Sequence, residues 1–536
     1  MQLPVRKKWP FFAIASVILF TFWSCDELFD SSDYELEKLK ATPEMSIPLA
    51  FGELGISDLI NEEDQEYVKV YPDGLVYLFY EKTLVTKDIR DMLKFPDKSF
   101  SESLPVPPGT LLPRASETTY ASVELDRDLG FAPEKLTEIK FKPGTILILG
   151  LNFTPQNPAS GVFELELELP DFQKNGAALK QRITALSGGS AIIDLGDYVA
   201  TLDDNRFTAR LSLIEKPHGN TVVITHPTEA SVILGFESID FQYVKGFFGE
   251  RTPTRIPTLT IDINAFGNAL GDAEVSFAEP KINLEITSEY GLPATLEFEP
   301  FEVRKENAEP LPILFSTPNP VVINAPATLG GQAVSNVGFA NVAAVFDYAP
   351  QQFYYQFQMG INKGLTSGSN FCADTSKISV KLTVEVPVHG KATGIVLTDT
   401  FDIDLSDSKQ SEIESAVLHS IAVNELPLEA ALQIYLADEN GVLIDSIFAT
   451  GQTALIKGST VTSAGDLSAP GIADVDIPLS AAKLEALFEA RKMIVRMATT
   501  TSKDGSGNYP LVKFKSNYKI NIKLGLEAKL NLEVDL

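Results

Sequence analysis

Apolar and charged side chains alternate without interruption in the segment VFELELELP at 162–170. The apolar positions are Phe163, Leu165, Leu167 and Leu169, and the charged positions between them are Glu164, Glu166 and Glu168. Successive side chains of a strand point to opposite faces, so this period predicts a strand with one apolar face and one acidic face. Such strands are typical of antiparallel sheets with one solvated side. We expect the three carboxylates to be solvated, or otherwise paired with cations.

Segments rich in β-forming residues continue along most of the chain. They include LVYLFY (75–80), FTARLSLI (207–214), SVILGFESIDFQYV (231–244), KINLEIT (281–287), ISVKLTVEVPV (378–388) and YKINIKLGLEAKLNLEV (518–534). Turn signals separate several of them, such as Pro72-Asp73-Gly74 and the run from Asp438 to Gly441. This pattern predicts a mostly β protein made of several antiparallel β-sandwich-like modules, with few short helices.

One segment departs from the strand pattern. After Ser480 the sequence AAKLEALFEARKM places Leu484, Leu487 and Phe488 on one stripe of a helix. Serine is a favoured N-cap residue, because its hydroxyl accepts a hydrogen bond from the first helical turn. The sequence therefore predicts one helix near 480–492.

A chain of 536 residues is too long for one hydrophobic core, since cores stop growing at about 250–300 residues. The changes in composition predict an N-terminal signal peptide at 1–24, an acidic tether at 25–42, and β modules at 43–130, 131–304 and 341–536. Between the last two modules, five prolines and a Gly-Gly pair predict a linker at 305–340.

The N-terminus has the layout of a secretory signal followed by a lipid attachment site. Three basic residues, at 6–8, precede 13 uncharged residues (11–23), then Ser24 and Cys25. The apolar stretch is shorter than the roughly 20 residues that span a bilayer. A cysteine after a small residue resembles a bacterial lipobox, in which the thiol is acylated. The acidic residues that follow resemble a surface-export signal; they are Asp26, Glu27, Asp30 and Asp33.

The net charge narrows the range of partners. The whole chain has a formal charge of −28, and removing residues 1–24 takes away three basic residues and no acidic one, which leaves 41 basic and 72 acidic residues, or −31. This excess of acid disfavours nucleic-acid binding, which needs cations to displace counterions. It also disfavours electrostatic adhesion to anionic lipid, so we expect the bilayer to be reached through acylated Cys25.

No catalytic or metal-binding motif stands out. The four histidines, His218, His226, His389 and His419, lack metal-ligand spacing, although a strand pair could bring His218 close to His226. Nucleophile-elbow, phosphate-loop and CxxC motifs are absent, and Asp504–Asn508 reads as a hairpin tip more than a calcium loop. Cys372 is expected to be a buried small side chain. The sequence therefore predicts no cofactor and no enzymatic activity.

An aromatic cluster is the strongest candidate binding element. In DYAPQQFYYQF (347–357) a strand would place Phe353, Tyr355 and Phe357 on one face. Exposed aromatic rings stack on sugars and anchor protein interfaces. The same residues also pack well inside sheets, and this core interpretation is favoured.

The sequence resembles a family of large surface-exposed outer-membrane lipoproteins of Bacteroidota. The resemblance is carried by ATPEMSIPLAFGELGISDLI (41–60), PDGLVYLFY (72–80), FQYVKGFFGERTPTRIPTLTIDI (241–263), FAEPKINLEITSEYGLP (277–293) and NELPLEAALQIYLADENG (424–441). It implies an outer-membrane location and a β fold, and it implies no activity.

Together these observations predict a lipid-anchored protein at the outer membrane, facing outward. Its expected role is a non-enzymatic accessory, scaffold or partner-binding subunit of an envelope complex, with an outer-membrane protein as partner. A surface glycan-binding lipoprotein is the alternative. A hydrolase built from scattered acids is the weakest hypothesis, because no pair of carboxylates stands out.

Overall fold

The computed structural model describes residues 39–55, 67–155, 161–184, 189–255, 258–262, 274–403, 413–448 and 454–534. Its strands before residue 90 are β1 (Leu39–Ala41), β2 (Glu44–Gly55), β3 (Val68–Val70) and β4 (Val76–Asp88). Those between 98 and 247 are β5 (Lys98–Val106), β6 (Gly109–Leu111), β7 (Thr118–Asp128), β8 (Lys135–Phe141), β9 (Ile146–Thr154), β10 (Phe163–Lys174), β11 (Ala177–Thr184), β12 (Gly189–Asp194), β13 (Val199–Thr201), β14 (Arg206–Glu215), β15 (Val222–Ile224), β16 (Thr228–Glu237) and β17 (Phe241–Phe247).

The remaining elements lie between residues 251 and 534. The strands up to 387 are β18 (Arg251–Arg255), β19 (Leu259–Asp262), β20 (Glu274–Phe277), β21 (Lys281–Ser288), β22 (Ala294–Arg304), β23 (Leu311–Pro312), β24 (Val321–Ile323), β25 (Ala333–Val337), β26 (Gln352–Ile361), β27 (Asn370–Ala373) and β28 (Lys377–Pro387). The later ones are β29 (His389–Asp402), β30 (Ile413–Asn424), β31 (Leu428–Ala437), β32 (Leu443–Ser446), β33 (Ala454–Ile456), β34 (Thr460–Val461), β35 (Leu467–Ala469), β36 (Gly471–Leu479), β37 (Lys492–Thr501), β38 (Val512–Lys513), β39 (Lys519–Leu530) and β40 (Leu532–Val534). The helices are α1 (Val342–Asp347) and α2 (Ala481–Glu489).

These strands form antiparallel sheets that pack in pairs, which confirms the predicted mostly β, sandwich-like fold. In sandwich I, sheet Ia has the order β12-β9-β16-β5 and sheet Ib the order β27-β17-β8-β13-β10-β14-β7, with β11 beside β10. Rings from both sheets meet in its core: Phe100 and Phe236 of Ia contact Phe207 of Ib, with ring centroids 5.9 and 5.5 Å apart. Apolar burial from two sheet faces is what holds such a layer pair together.

Two further sandwiches follow the same plan. Sandwich II pairs the sheet β25-β21-β28-β4-β3 with the sheet of β18, β19, β22, β23, β24 and β26. Sandwich III pairs the sheet β2-β39-β30-β36 with the sheet of β20, β29, β31, β32, β33, β37 and β38. One apolar cluster is continuous through sandwiches I and II, another fills III, and a small one that includes Val76 and Leu426 joins II to III. Sandwich II therefore joins the other two.

The three sandwiches are nested along the chain. β2 pairs with β39 in sandwich III, β4 pairs with β28 in sandwich II, and apart from β27 sandwich I is built from residues 98–247. The chain thus passes through III, II and I and then returns to II and III, with β20 added to sandwich III and β27 to sandwich I during the return. At its outer limit β1 pairs with β40, with Leu39 opposite Val534, so the first and last described strands lie side by side.

This nesting corrects the division predicted from sequence. Strands of the predicted 43–130 module contribute to all three sandwiches, so the boundaries near 130 and 304 do not separate folded units. The predicted linker at 305–340 contains β23 and β24, which pair with β22, and β25, which pairs with β21. Phe315 and Phe339 within it pack on each other, with ring centroids 5.4 Å apart. Short edge strands tolerate proline, which is why this packed segment resembles a linker in composition.

The predicted helix is confirmed. Ser480 is its N-cap, and its Oγ accepts a hydrogen bond from the Lys483 backbone N–H at 3.3 Å. The buried positions include Leu484, Leu487 and Phe488. The helix ends at Glu489, slightly earlier than predicted, and the guanidinium of Arg491 donates to the carbonyl oxygens of its last turn.

Candidate functional site

The outer face of sheet Ia is the most unusual surface of the described chain. Its residues form transverse rows across four strands, because register is fixed by the backbone pairing. The central rows are Ile192–Ile148–Gly235–Ser99, Ser190–Gly150–Ile233–Ser101 and Asn152–Ser231–Ser103. We call these eleven residues the neutral face, since none of them carries a charge.

Charged side chains on this side of sheet Ia lie only in the terminal rows. Asp194 and Glu237 flank Ile146 at one end, and Glu229 lies at the other. Asp194 is already engaged, since its Oδ1 accepts backbone N–H groups of Gly144 and Gly196 at 3.1 and 2.8 Å. The centre of the face is therefore uncharged in a protein with a net charge of −28.

Isoleucines project from the neutral face beside glycines. Ile192 is 73% exposed and Ile233 is 50% exposed. Gly150 pairs with Ile233, and Gly235 pairs with Ile148. A side chain at either glycine would meet only ordinary contacts, at 3.8 and 3.7 Å, so the packing does not require glycine there. The two glycines leave shallow hollows next to apolar side chains, a shape that another surface could fill.

The outer face of sheet Ib has the opposite character. The alternating carboxylates of β10 project here, and each has a basic partner on β11 or directly after β14: Glu164–Lys216 at 3.5 Å, Glu166–Arg182 at 2.7 Å and Glu168–Lys180 at 3.2 Å. Cross-strand ion pairs of this kind are the usual covering of a solvated sheet. The carboxylates are thus matched by the protein's own cations, and sandwich I has one charged face and one neutral face.

Among the described strands, β12 forms one edge of sheet Ia beside the neutral face. It ends the order of sheet Ia and pairs with β9. Its sequence, GSAIID, contains no lysine and no proline, which are the residues that commonly block strand addition at sheet edges. Both the face and its edge are therefore suited to contact with another protein.

The aromatic residues singled out from sequence do not form a binding platform. Phe353, Tyr355 and Phe357 in β26 are each at most 2% exposed and belong to the core shared by sandwiches I and II. Tyr355 and Phe357 stack on each other with ring centroids 6.3 Å apart. The three rings are therefore core residues, as the favoured interpretation of the sequence expected. They are too deeply buried to contact a ligand at the surface.

A different aromatic cluster is accessible, and the sequence did not indicate it. Tyr71 and Tyr77 are half-buried and stack with ring centroids 4.1 Å apart, and Phe79 lies edge-on to Tyr77 at 6.4 Å. The Tyr71 hydroxyl donates to Glu385 Oε1 at 2.5 Å, and Lys281 pairs with the same oxygen at 2.7 Å. These hydrogen bonds, that of Lys281 first, lower the pKa of Glu385. The hairpin turn at 72–74 brings the two tyrosines together. The alternation of apolar and polar residues within each strand does not predict this contact.

Two of the four histidines, His218 and His419, are held by carboxylates. His218 Nε2 lies 2.9 Å from Oε1 of the buried Glu215, whose other oxygen lies 3.1 Å from Arg114 Nε. His226 instead contacts its neighbour Thr225. Among the described residues, no group of three or more His, Cys, Asp or Glu side chains is arranged to hold a metal ion.

His419 is the centre of a short polar row on sandwich III. Its Nδ1 lies 2.5 Å from Asp476 and its Nε2 lies 2.7 Å from Glu527, on the two adjacent strands. The hydrogen bonds to Glu527 and then Asp476 raise the pKa of His419. Since the two nitrogens point to opposite carboxylates, this arrangement stabilises the imidazolium rather than binding a cation.

The lipidation and export residues lie outside the described part of the chain. Cys25, Asp26, Glu27, Asp30 and Asp33 all precede Leu39, the first described residue. The other cysteine, Cys372, is fully buried in β27, as expected, and burial raises the pKa of its thiol. Within the described ranges, no helix combines the length and apolar character needed to cross a bilayer.

Comparison with known proteins adds little information on the family or function of this chain. The chain matches no protein-family model, and no curated protein is significantly similar to it. Among solved structures, it is similar to a "putative secreted protein" from Parabacteroides distasonis ATCC 8503, with 13% sequence identity and a TM-score of 0.30, over 91% of this chain and 99% of that one. A TM-score of 0.30 is too low to establish a shared fold.

Proposed function

We propose that this chain is a lipid-anchored outer-membrane protein that faces outward and acts as a non-enzymatic, partner-binding subunit of an envelope complex. The observation that supports it most is the neutral face of sheet Ia. An uncharged, partly apolar sheet face with hollows at Gly150 and Gly235 resembles the desolvated centre of a protein interface more than a solvated surface.

The partner is expected to be uncharged where it touches this face. Burying a charge against Ile148, Ile192 and Ile233 would cost desolvation energy with no opposite charge to offset it. An outer-membrane protein with an uncharged, shallow surface or a free strand edge fits both the neutral face and the edge at β12.

Site-specific photo-crosslinking in intact cells tests this proposal. A photoreactive residue replaces Ile233 on the neutral face, and the matched control replaces the exposed Ser122 on the charged outer face of sheet Ib. We expect a discrete crosslinked partner from position 233 and none from 122. Adding Ile192→Lys to the protein that carries the photoreactive residue at 233 should strongly reduce that product without unfolding the protein, because Ile192 lies on the same face and is 73% exposed. Equal labelling at both positions would contradict the assignment of the face.

The anchor is tested separately. Cys25→Ala should release the protein from membranes, because a chain with a formal charge of −31 after residue 24 has little electrostatic attraction for anionic lipid. Replacing Asp26 and Glu27 by Asn and Gln should keep the protein membrane-bound but protect it from protease added to cells. A Cys25→Ala protein that stays with the membrane would refute the anchor, and unchanged proteolysis would refute the export signal.

Glycan binding is the second candidate function, and the Tyr71–Tyr77 stack favours it. Half-exposed tyrosines beside a carboxylate can stack on a sugar ring and accept hydrogen bonds from its hydroxyls. Calorimetric titration with a panel of neutral polysaccharides tests it, with Tyr77→Ala as the variant expected to lose binding. If no polysaccharide binds the unmodified protein, this alternative fails.

A further inference from the structure

The hairpin between β31 and β32 carries a run of exposed apolar residues directly after its turn. Val442, Leu443 and Ile444 are 64%, 57% and 38% exposed. The turn itself, Asp438–Gly441, is polar, but Val442 follows it directly and Leu443 and Ile444 begin β32, so three consecutive aliphatic side chains are exposed beside the turn. We call this segment the apolar tip.

The apolar tip is held in a defined conformation. Asp438 Oδ1 accepts the backbone N–H groups of Asn440 and Val442 at 2.9 and 2.8 Å, and the Asp438 N–H donates to the Val442 carbonyl oxygen at 3.0 Å. Gly441 has a φ of +83°, which glycine adopts without strain. At the base of the hairpin, Arg491 N–H donates to the Ala437 carbonyl oxygen at 2.9 Å. The tip is therefore pre-organised, which lowers the entropy cost of contact with another surface.

The apolar tip lies at the same end of sandwich III as the start of the described chain. Met45, next to the start of β2, lies in one transverse row with Ala528, Ala416 and Leu479. Leu479 leads directly into α2, whose Lys483 pairs with Asp445 beside the tip at 2.6 Å. The opposite end of sandwich III, at Leu426 and Leu428, packs against sandwich II. The tip thus points away from sandwiches I and II.

We propose that the apolar tip contacts the surface of the lipid bilayer as a second attachment point beside the lipid anchor. This inference rests on the proposed acylation of Cys25. Leu39 follows Cys25 by 14 residues, and a chain of that length spans at most about 50 Å. The anchor therefore keeps this end of sandwich III near the membrane, and the bilayer is the apolar phase that the tip meets at the highest effective concentration.

The charges around the tip indicate which lipid it suits. Glu439 is exposed on the turn itself, and Arg491 and Lys492 flank the base of the hairpin. Asp438 and Glu439 on the turn balance these two cations, and the chain as a whole is acidic, so anionic headgroups bring no gain and contact should be strongest on zwitterionic lipid. Aliphatic side chains that enter the boundary between headgroups and acyl chains gain free energy by leaving water.

Tryptophan fluorescence tests the proposal directly, because Trp9 and Trp23 are the chain's only tryptophans and both precede Cys25. Leu443→Trp then gives the mature protein a single reporter in the tip. The matched control is Ile192→Trp, because Ile192 lies on sandwich I and is more exposed than Leu443. Val442→Trp serves as a second reporter if the first variant folds poorly.

The acylated variants are reconstituted in phosphatidylcholine vesicles, with and without brominated acyl chains. We expect a blue shift and bromine quenching for Leu443→Trp and neither for Ile192→Trp. Vesicles rich in anionic lipid should give a smaller shift. An unshifted, unquenched Leu443→Trp spectrum from protein that sediments with the vesicles would overturn the tip contact while leaving the anchor intact. Protein that does not sediment would instead refute the anchor.

A protein partner for the tip is distinguished in the same experiment. If the Leu443→Trp emission shifts without vesicles and the shift grows with protein concentration, the tip binds a second copy of the chain. That outcome would replace the bilayer as the occupant and overturn the proposal.

Discussion

Phe172→Ala tests whether the protein unfolds in two units, as its separate apolar clusters suggest. Phe172 is fully buried in β10 and its ring meets three others, those of Phe141, Phe207 and Phe236, at centroid distances of 5.7, 5.3 and 5.8 Å. It belongs to the cluster shared by sandwiches I and II, whereas sandwich III has its own. We therefore expect two thermal transitions, of which only one responds to this substitution.

The size of the effect follows from the packing around Phe172. Removing a buried phenylalanine side chain costs about 3–5 kcal/mol, because the lost burial is compounded by the cavity left behind. Three ring partners from two sheets limit how far the site can collapse, which favours the upper part of that range. At the rate of about 2 °C per kcal/mol that applies to large units, the transition should fall by about 8–10 °C.

Differential scanning calorimetry of the mature chain measures both transitions. The matched control is Leu487→Ala, a fully buried residue of α2 in the sandwich III cluster, which should lower the other transition. A single transition in the unmodified protein would refute the division into two units. Equal shifts of both transitions by either variant would show that the small cluster between sandwiches II and III couples them fully.

Three smaller predictions concern single residues. His419→Gln should lower stability most below about pH 6.5 and progressively less as pH rises, because a raised folded-state pKa stabilises the protein only while the imidazole is protonated. The difference between the urea midpoints of the two proteins, measured at low and high pH, tests this prediction. A difference that does not change with pH would contradict it. Ser480→Ala should cost about 1 kcal/mol in urea unfolding through loss of the N-cap, whereas Ser480→Thr should cost less. Gly465→Ala should destabilise more than Gly441→Ala, since both have a positive φ but a Cβ at 465 would lie 2.0 Å from the Leu511 carbonyl oxygen; equal midpoints would contradict the contact argument.

Local features of the fold were predictable because they depend on residues close in sequence. The alternation at 162–170 corresponds to β10, whose apolar positions are buried as its period requires. Ser480 and the apolar stripe after it identified α2. Periodicity and caps act within a few residues, so a single sequence reveals them.

The pairing of distant strands was not predictable in the same way. Nothing in the residues of β4 indicates that its partner is β28, or that β2 pairs with β39 at the far end of the chain. Register depends on which faces become buried together, and that is decided by the whole fold. The predicted boundaries failed for this reason, since composition marks loops and does not reveal a chain that leaves a sandwich and returns to it.

The neutral face has a signal in the sequence that the strand prediction did not include. The run ILILGL at 146–151 in β9 is apolar on both faces, whereas a strand with one solvated face alternates. Leu147, Leu149 and Leu151 are buried in the core, which leaves Ile146 and Ile148 on the outside. A strand that is apolar on both faces in a sheet with one face outside the core is therefore the sequence pattern that indicates the neutral face.

The nested chain separates the two surfaces on which the proposals depend. Both ends of the described chain leave sandwich III, where β1 pairs with β40 beside the end that carries the apolar tip. Sandwich I is reached only through sandwich II, so the neutral face lies in the sandwich farthest along the chain path from Cys25. Under the proposed function, this order would present the neutral face beyond sandwich II to a neighbouring envelope protein while sandwich III stays at the bilayer. Membrane contact and partner contact then involve different sandwiches, and substitutions in one should leave the other unchanged.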